Sequence, residues 1–142
     1  MKIAIGNDHA GYEIKRIIKD WLEEQGYDFV DYGTDSPEPA DYPDIVHPLA
    51  SAVDKGEIDM GVLICGSGQG ASITANKHQG IRATLCWRPE IAVLARSHND
   101  ANILCLPGRF IEGDAAIEVL RVFLDTPFDG GRHKRRIEKV PL

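Results

Sequence analysis

The sequence has 142 residues, 43% of them apolar and 27% charged, with a formal net charge of −6. Those values suit one soluble globular domain and give no bulk electrostatic reason to expect a nucleic-acid or membrane partner. No segment reaches the ~20 apolar residues of a membrane span, and the opening Met-Lys and short strand-like run lack the apolar stretch of a signal peptide. Three cysteines, Cys65, Cys86 and Cys105, are too few and too odd in number for a disulfide framework. Cys86 and Cys105 sit in apolar runs and read as small core residues. The expectation is a reduced, cytoplasmic protein.

In chain order, Ile3–Ile5 reads as a strand ending in polar Asn7-Asp8-His9. Tyr12 to Gln25 follows as a helix, with Ile14, Ile17, Ile18, Trp21 and Leu22 at helical spacing and Gly26 in the C-terminal glycine position. Phe29–Val30 begins a second strand. Residues 33–44 carry Gly33, Pro37, Pro39 and Pro43 and read as loop. Ile45 to Lys55 is a helix closed by Gly56. Met60–Ile64 is a continuous apolar run, as expected of a strand buried on both faces.

Ala71–Lys77 is helical and Ile81–Cys86 strand-like. Pro89 suits the first turn of a helix that runs to about Arg96. Ile103–Leu106 is a fifth strand and Asp114–Leu124 a further helix. After the break at 127–131 comes a short basic tail. This alternation predicts an α/β fold, a three-layer α/β/α sandwich around a five-stranded parallel sheet of Rossmann-like type, with a C-terminal helical tail. Ligands in such folds bind at the carboxyl ends of the strands.

That rule selects Asn7-Asp8-His9, the loops after strands four and five, and above all Cys65-Gly66-Ser67-Gly68-Gln69-Gly70. The glycine loop follows a buried strand and opens a helix, so its backbone N–H groups can approach an anion. Its G-x-G-x-G spacing differs from the dinucleotide fingerprint, and alone it is a weak signal. Cys65 heads the loop, where a helix N-terminus lowers a thiol pKa and makes a general base available; alone it is equally a buried structural cysteine. His9 and His98 are the candidate proton carriers, while His47, His78 and His133 have weaker positions. The histidines show no metal-ligand spacing and the cysteines no zinc pattern. Arg132 and Arg136 would share a helix face and suit a phosphate, as would Arg109, although from sequence alone a solvated basic terminus is the better reading of the run.

Together these pieces resemble the ribose-5-phosphate isomerase type B family, which also contains allose-6-phosphate isomerases and galactose-6-phosphate isomerase subunits. The resemblance rests on Gly6-Asn7-Asp8-His9-Ala10-Gly11, Asp41-Tyr42-Pro43, the Cys65–Gly70 loop, Ala75-Asn76-Lys77, Gly80-Ile81-Arg82-Ala83, Ser97-His98-Asn99-Asp100-Ala101-Asn102 and Gly130-Gly131-Arg132-His133. It spans nearly the whole chain and implies one sugar-phosphate isomerase domain over 1–142.

The resemblance implies that Cys65 moves a proton between C1 and C2 of an aldose phosphate. Ser67, where relatives often carry threonine, would sit beside the developing oxyanion with the N–H groups of Gly66, Gly68 and Gly70. His98 would open the furanose ring. Asp8, Tyr42 and Asn99 would contact the sugar, and His9, Arg109, Arg132 and Arg136 the phosphate. One branch of the family uses a glutamate base just after the glycine loop; Ala71 stands there in this chain. The implied mechanism passes through a cis-enediolate and uses no metal or cofactor. The implied partner is a second copy, a homodimer with shared active sites; whether dimers pair into a tetramer is open in the sequence. Ribose 5-phosphate is the expected substrate. A six-carbon sugar phosphate, a non-catalytic sugar-phosphate-binding protein and a flavodoxin-like nucleotide binder are the alternatives.

Overall fold

The computed structural model describes residues 1–142. Strand β1 (Lys2–Asn7) leads through a 3-10 turn (His9–Gly11) into helix α1 (Tyr12–Glu24), followed by β2 (Asp28–Asp31) and α2 (Tyr42–Asp54). Then come β3 (Met60–Cys65), α3 (Gln69–Ala75), β4 (Ala83–Leu85), α4 (Pro89–Asn99), β5 (Ile103–Pro107), α5 (Gly113–Asp125) and α6 (Arg132–Ile137). The five strands form one sheet in the order β2-β1-β3-β5-β4, and every pairing is parallel.

The pleat alternates side chains between two cores. Ile3, Ile5, Val62, Ile64, Leu104 and Leu106 face α1, α4 and α5. Their neighbours Ala4, Leu63, Cys65, Ile103 and Cys105 face α2 and α3. Helices on both faces explain why β3 and β5 read as unbroken apolar runs. The expected three-layer sandwich and helical tail are present, and no helix is long and apolar enough to cross a membrane.

Helix and strand boundaries shift by up to three residues from the sequence reading, and two of the shifts have clear causes. Helix α2 starts at Tyr42, inside the segment 33–44 read as loop, with Pro43 in its first turn and Pro48 farther in. A proline in the first turn gives up an N–H that has no partner there anyway, so the cluster of prolines marks a helix start as well as a loop. Strand β4 is only Ala83–Leu85. On its open side the Asn76 carboxamide accepts from the Ala83 N–H at 2.8 Å and donates to the Ala83 carbonyl at 2.9 Å. One side chain thus replaces the missing neighbour strand and blunts the sheet edge.

Lys15 is 1% exposed, yet its ammonium is fully engaged. It reaches Asp31 at 3.1 Å, the Thr34 carbonyl at 2.7 Å and Asp35 at 2.7 Å. A buried lysine without such partners would lose its charge. Here the cation ties the loop after β2 to α1 and depresses the Asp35 carboxyl pKa.

Candidate active site

The carboxyl edge of the sheet gathers the first group of candidates. Asp8 follows β1 and caps the 3-10 turn, its carboxylate accepting from the N–H groups of Ala10 at 2.9 Å and Gly11 at 3.2 Å. His9 follows, its Nδ1 accepting from the Ala40 N–H at 3.2 Å. That bond places the proton of the neutral ring on Nε2, as a donor toward the site. Tyr42 begins α2 and lies over the glycine loop.

Cys65 ends β3 directly beneath that loop. Its carbonyl accepts from the Gly108 N–H at 2.7 Å, and the Gly66 carbonyl from the Arg109 N–H at 3.0 Å. These bonds lock the glycine loop to the loop after β5. Two glycines are required sterically. Gly68 has φ +78, and a Cβ there would stand 2.5 Å from a Leu85 methyl. A Cβ on Gly70 would stand 2.5 Å from the Tyr42 ring. The Arg109 guanidinium lies over Gly66, 3.4 Å from where a Cβ would project.

Cys65, Asn7, Asp8, Tyr42 and Ala71 border a cavity of about 10 Å³. That is room for about one water, so a sugar phosphate must lie above it, across the loop. Beside the loop, Ser67, Gln69, Leu85, Trp87, Pro107 and Phe110 line an open groove of about 330 Å³. The Ser67 hydroxyl accepts from the Gln69 N–H at 3.3 Å, in a turn that aims the following N–H groups across the loop.

The thiol departs from the sequence expectation. Burial pushes the Cys65 thiol pKa up; the Ala71 N–H pulls it down, the Asp8 carboxylate raises it and the Gly68 N–H lowers it. The balance is upward, not the depression expected at a helix N-terminus. The reason is that α3 has only seven residues, so its dipole is small, while Cys65 is 5% exposed. Two N–H groups aimed at the sulfur soften the penalty without reversing it.

The second group lies at the opposite edge. Helix α4 runs back from the end of β4, and its last residues include His98 and Asn99. The Arg82 guanidinium, just before β4, donates to the carbonyls of Asn99 at 2.9 Å and Asp100 at 2.9 Å. Asn102, just before β5, donates nothing to the loop at Cys65; its carbonyl instead accepts from Gly61 at the start of β3. Ile103 pairs with Gly61 and Pro107 with Cys65, so the two edges stand about 13 Å apart at ~3.3 Å per residue.

Helix α6 packs against the end of α4. The His98 and His133 rings stack with centroids 4.3 Å apart and planes 12° apart. Partial burial, then His98 and Arg132, hold the His133 imidazole pKa below its usual value. Arg132 and Arg136 are exposed on the same short helix. Asp100, at φ 44, is the one non-glycine residue in the left-handed region. Its carboxylate meets Arg96 at 2.9 Å and Arg82 at 3.6 Å, two cations that hold the strained turn beside His98.

One chain therefore assembles Asp8, His9, Tyr42, Cys65, the glycine loop with Ser67, and Arg109. It does not bring His98, Asn99, Arg132 or Arg136 to them. The sequence reading gave His133 a weaker position and passed over Asp129, and the fold places both against His98. The Gly130-Gly131-Arg132-His133 motif was the available signal for the first; nothing local marks the second.

A thiol under convergent N–H groups, flanked by an imidazole and a guanidinium on a parallel α/β sheet, equips a small enzyme fold for proton transfer next to a carbonyl. The chain belongs to the ribose/galactose isomerase family, whose model matches residues 3–140. It is 44% identical over 139 residues to ribose-5-phosphate isomerase B of Escherichia coli, covering 98% of this chain and 93% of that protein. Its fold superposes on a ribose 5-phosphate isomerase of Thermotoga maritima with a TM-score of 0.97 and 51% identity, covering 99% of this chain and 97% of that one. It also matches ribose-5-phosphate isomerase B of Mycoplasma genitalium, solved with bound ribulose 5-phosphate, with a TM-score of 0.94 and 40% identity over 98% of this chain and 93% of that one.

Proposed function

We propose that the chain interconverts ribose 5-phosphate and ribulose 5-phosphate by proton transfer through a cis-enediolate, with Cys65 as the base. The observation that carries this reading is the position of Cys65: a thiol at the carboxyl end of the central strand, beneath the N–H groups of the glycine loop, in a family of sugar-phosphate isomerases.

The ring opens first, because only the linear aldose has an acidic C2 proton. The Cys65 thiolate takes that proton, and charge moves onto the carbonyl oxygen. N–H groups of Gly66, Gly68 and Gly70, with the Ser67 hydroxyl, receive the oxyanion; one such donor is typically worth ~3–4 kcal/mol in the transition state. The thiol then returns the proton to C1 while a proton passes from O2 to O1, giving the ketose. A raised thiol pKa makes Cys65 less often ionised but a stronger base when it is, which suits a weak carbon acid. Asp8 and Tyr42 orient the sugar, and His9 Nε2–H and Arg109 face the phosphate.

The remaining candidates come from a second copy of the chain. The sheet edges stand about 13 Å apart, with Cys65 at one and the end of α4, where α6 packs, at the other, a separation one five-carbon substrate does not bridge. The glycine loop is bordered by exposed apolar side chains, Trp87 at 52%, Phe110 at 76% and Ile73 at 63%, which favours cover by another subunit. In such a homodimer, His98 of one copy opens the ring held by Cys65 of the other, and the two arginines complete the phosphate site.

A panel of ribose 5-phosphate, allose 6-phosphate and galactose 6-phosphate, assayed for ketose formation, tests the reading. Ribose 5-phosphate should turn over with the highest kcat/KM. Faster turnover of a six-carbon phosphate would reassign the substrate, and binding without turnover of any of them would make the chain a sugar-phosphate-binding protein.

A further inference from the structure

The only place where imidazole and carboxylate groups converge in threes is the junction of α4 and α6. The ligating atoms of His98, Asp129 and His133 all lie within 4.8 Å of one another. Two features build the cluster. Stacking at 4.3 Å and 12° brings the two imidazoles together, but their in-plane lone pairs run parallel, so one ring must turn out of the stack for both nitrogens to face one ion. The Asp129 N–H donates to the Ser97 carbonyl at 3.0 Å, fixing the acidic residue next to His98.

Donors around a tetrahedral ion with bonds of ~2.0–2.1 Å stand about 3.3 Å apart. The three groups are within about 1.5 Å of that spacing, and turning the His133 ring at its own side-chain torsions, beside an exposed Asp129, closes the distance and points both lone pairs at one ion. Two imidazoles and one carboxylate match the zinc, cobalt and nickel class, not magnesium or calcium, and leave a coordination position open. The His47–His78 pair offers a contrast. Its Nδ1 and Nε2 lie 2.9 Å apart, a hydrogen-bonded couple with no third ligand in reach.

We propose that His98, Asp129 and His133 bind one divalent ion of the zinc–cobalt class, and that this ion inhibits the enzyme by occupying the His98 nitrogen. The binding half stands on the cluster geometry alone. The inhibitory half rests on the isomerase reading with His98 as the ring-opening group. A coordinated imidazole nitrogen has no lone pair left for a proton, so ring opening stops while the chemistry at Cys65 is untouched.

The test begins with full-length protein dialysed against a chelator and titrated with Co²⁺ and Zn²⁺. One ion should bind per chain. The cobalt form should show visible ligand-field bands without the near-ultraviolet charge-transfer band of a thiolate ligand. Asp129→Asn and His133→Gln should each weaken Zn²⁺ binding about tenfold or more, while His47→Gln leaves it unchanged. A thiolate band, affinity indifferent to Asp129→Asn and His133→Gln, or no binding at millimolar Zn²⁺ would overturn the site. In turnover assays with ribose 5-phosphate, Zn²⁺ should inhibit wild type, and Asp129→Asn should need about tenfold more metal for the same inhibition. Zinc bound at the cluster with turnover unaffected would overturn the inhibitory role alone. Absence of any isomerase activity would overturn the functional reading and leave the binding result to decide the site.

Discussion

The two edges of the sheet are built for different tasks. At the carboxyl edge, loops are short, glycine-rich and bonded to one another: Gly108 to Cys65, Arg109 to Gly66, Ala40 to His9. Polar groups there point inward onto a thiol. At the amino edge, side chains are longer and more exposed, and a strained Asp100 between two arginines stabilises the end of α4. One edge carries a thiol beneath convergent N–H groups, with the His9 imidazole held by the Ala40 N–H. The other is a cationic, imidazole-bearing surface without a base. On the proposed reading, these are two half-sites on opposite ends of the sheet, each lacking what the other carries.

Removing the base should give the largest effect. Cys65→Ala should lower kcat by about 10²–10⁴-fold, with sugar-phosphate binding retained in a calorimetric titration; near-wild-type turnover would show that the carboxyl edge is not the proton-transfer site. Next in size, His98→Asn should slow cyclic ribose 5-phosphate far more than a four-carbon aldose phosphate that cannot close a furanose ring. Equal losses would leave His98 as an enediolate stabiliser or a structural residue. Arg136→Ala should raise KM about tenfold with a smaller change in kcat. An unchanged KM would make α6 a solvated terminus.

Protonation sharpens the same contrast with a smaller change. Because burial raises the Cys65 thiol pKa, the thiolate fraction grows with alkalinity. Initial rates should therefore keep climbing with pH up to at least the ordinary thiol value of 9.0. A plateau from neutral pH would mean that the cations of the second half-site pull the thiol down once the site is complete. The buried thiols affect stability with a related sign. Burial lifts Cys86 from 9.0 to about 11, so the folded state holds its proton while the unfolded chain loses it. Stability contributed by that thiol is intact below pH 9.0 and is lost toward about 11, which a fall in Tm over that window would register.

Much of the carboxyl edge was legible in the sequence because its determinants are local. A continuous apolar strand, a glycine loop and a helix follow one another over residues 60–75, and strand-end position alone marks Cys65. The start of α2 at Tyr42 was obscured because proline punctuates loops and opens helices alike. The length of β4 depended on Asn76, a side chain whose pairing with the sheet edge has no periodic signature. The direction of the Cys65 shift required burial and the distance to Asp8, neither of which is local. The separation of His98 from Cys65 is a property of handed crossovers: α4 returns the chain to the other edge. Motif adjacency hides that return, although the eleven residues of the helix, about 16 Å of rise, imply it.

On the proposed reading, one catalytic site draws on the carboxyl edge of one copy and the amino edge of another. Mixing Cys65→Ala and His98→Asn chains after reversible dissociation tests it most directly. Each variant alone is impaired. In a twofold dimer, half of the randomly mixed assemblies are hybrids, and each hybrid holds one site with both wild-type residues. Shared sites should restore about a quarter of wild-type activity on ribose 5-phosphate. Activity no greater than the average of the two variants would place Cys65 and His98 of the same chain in one site and contradict it.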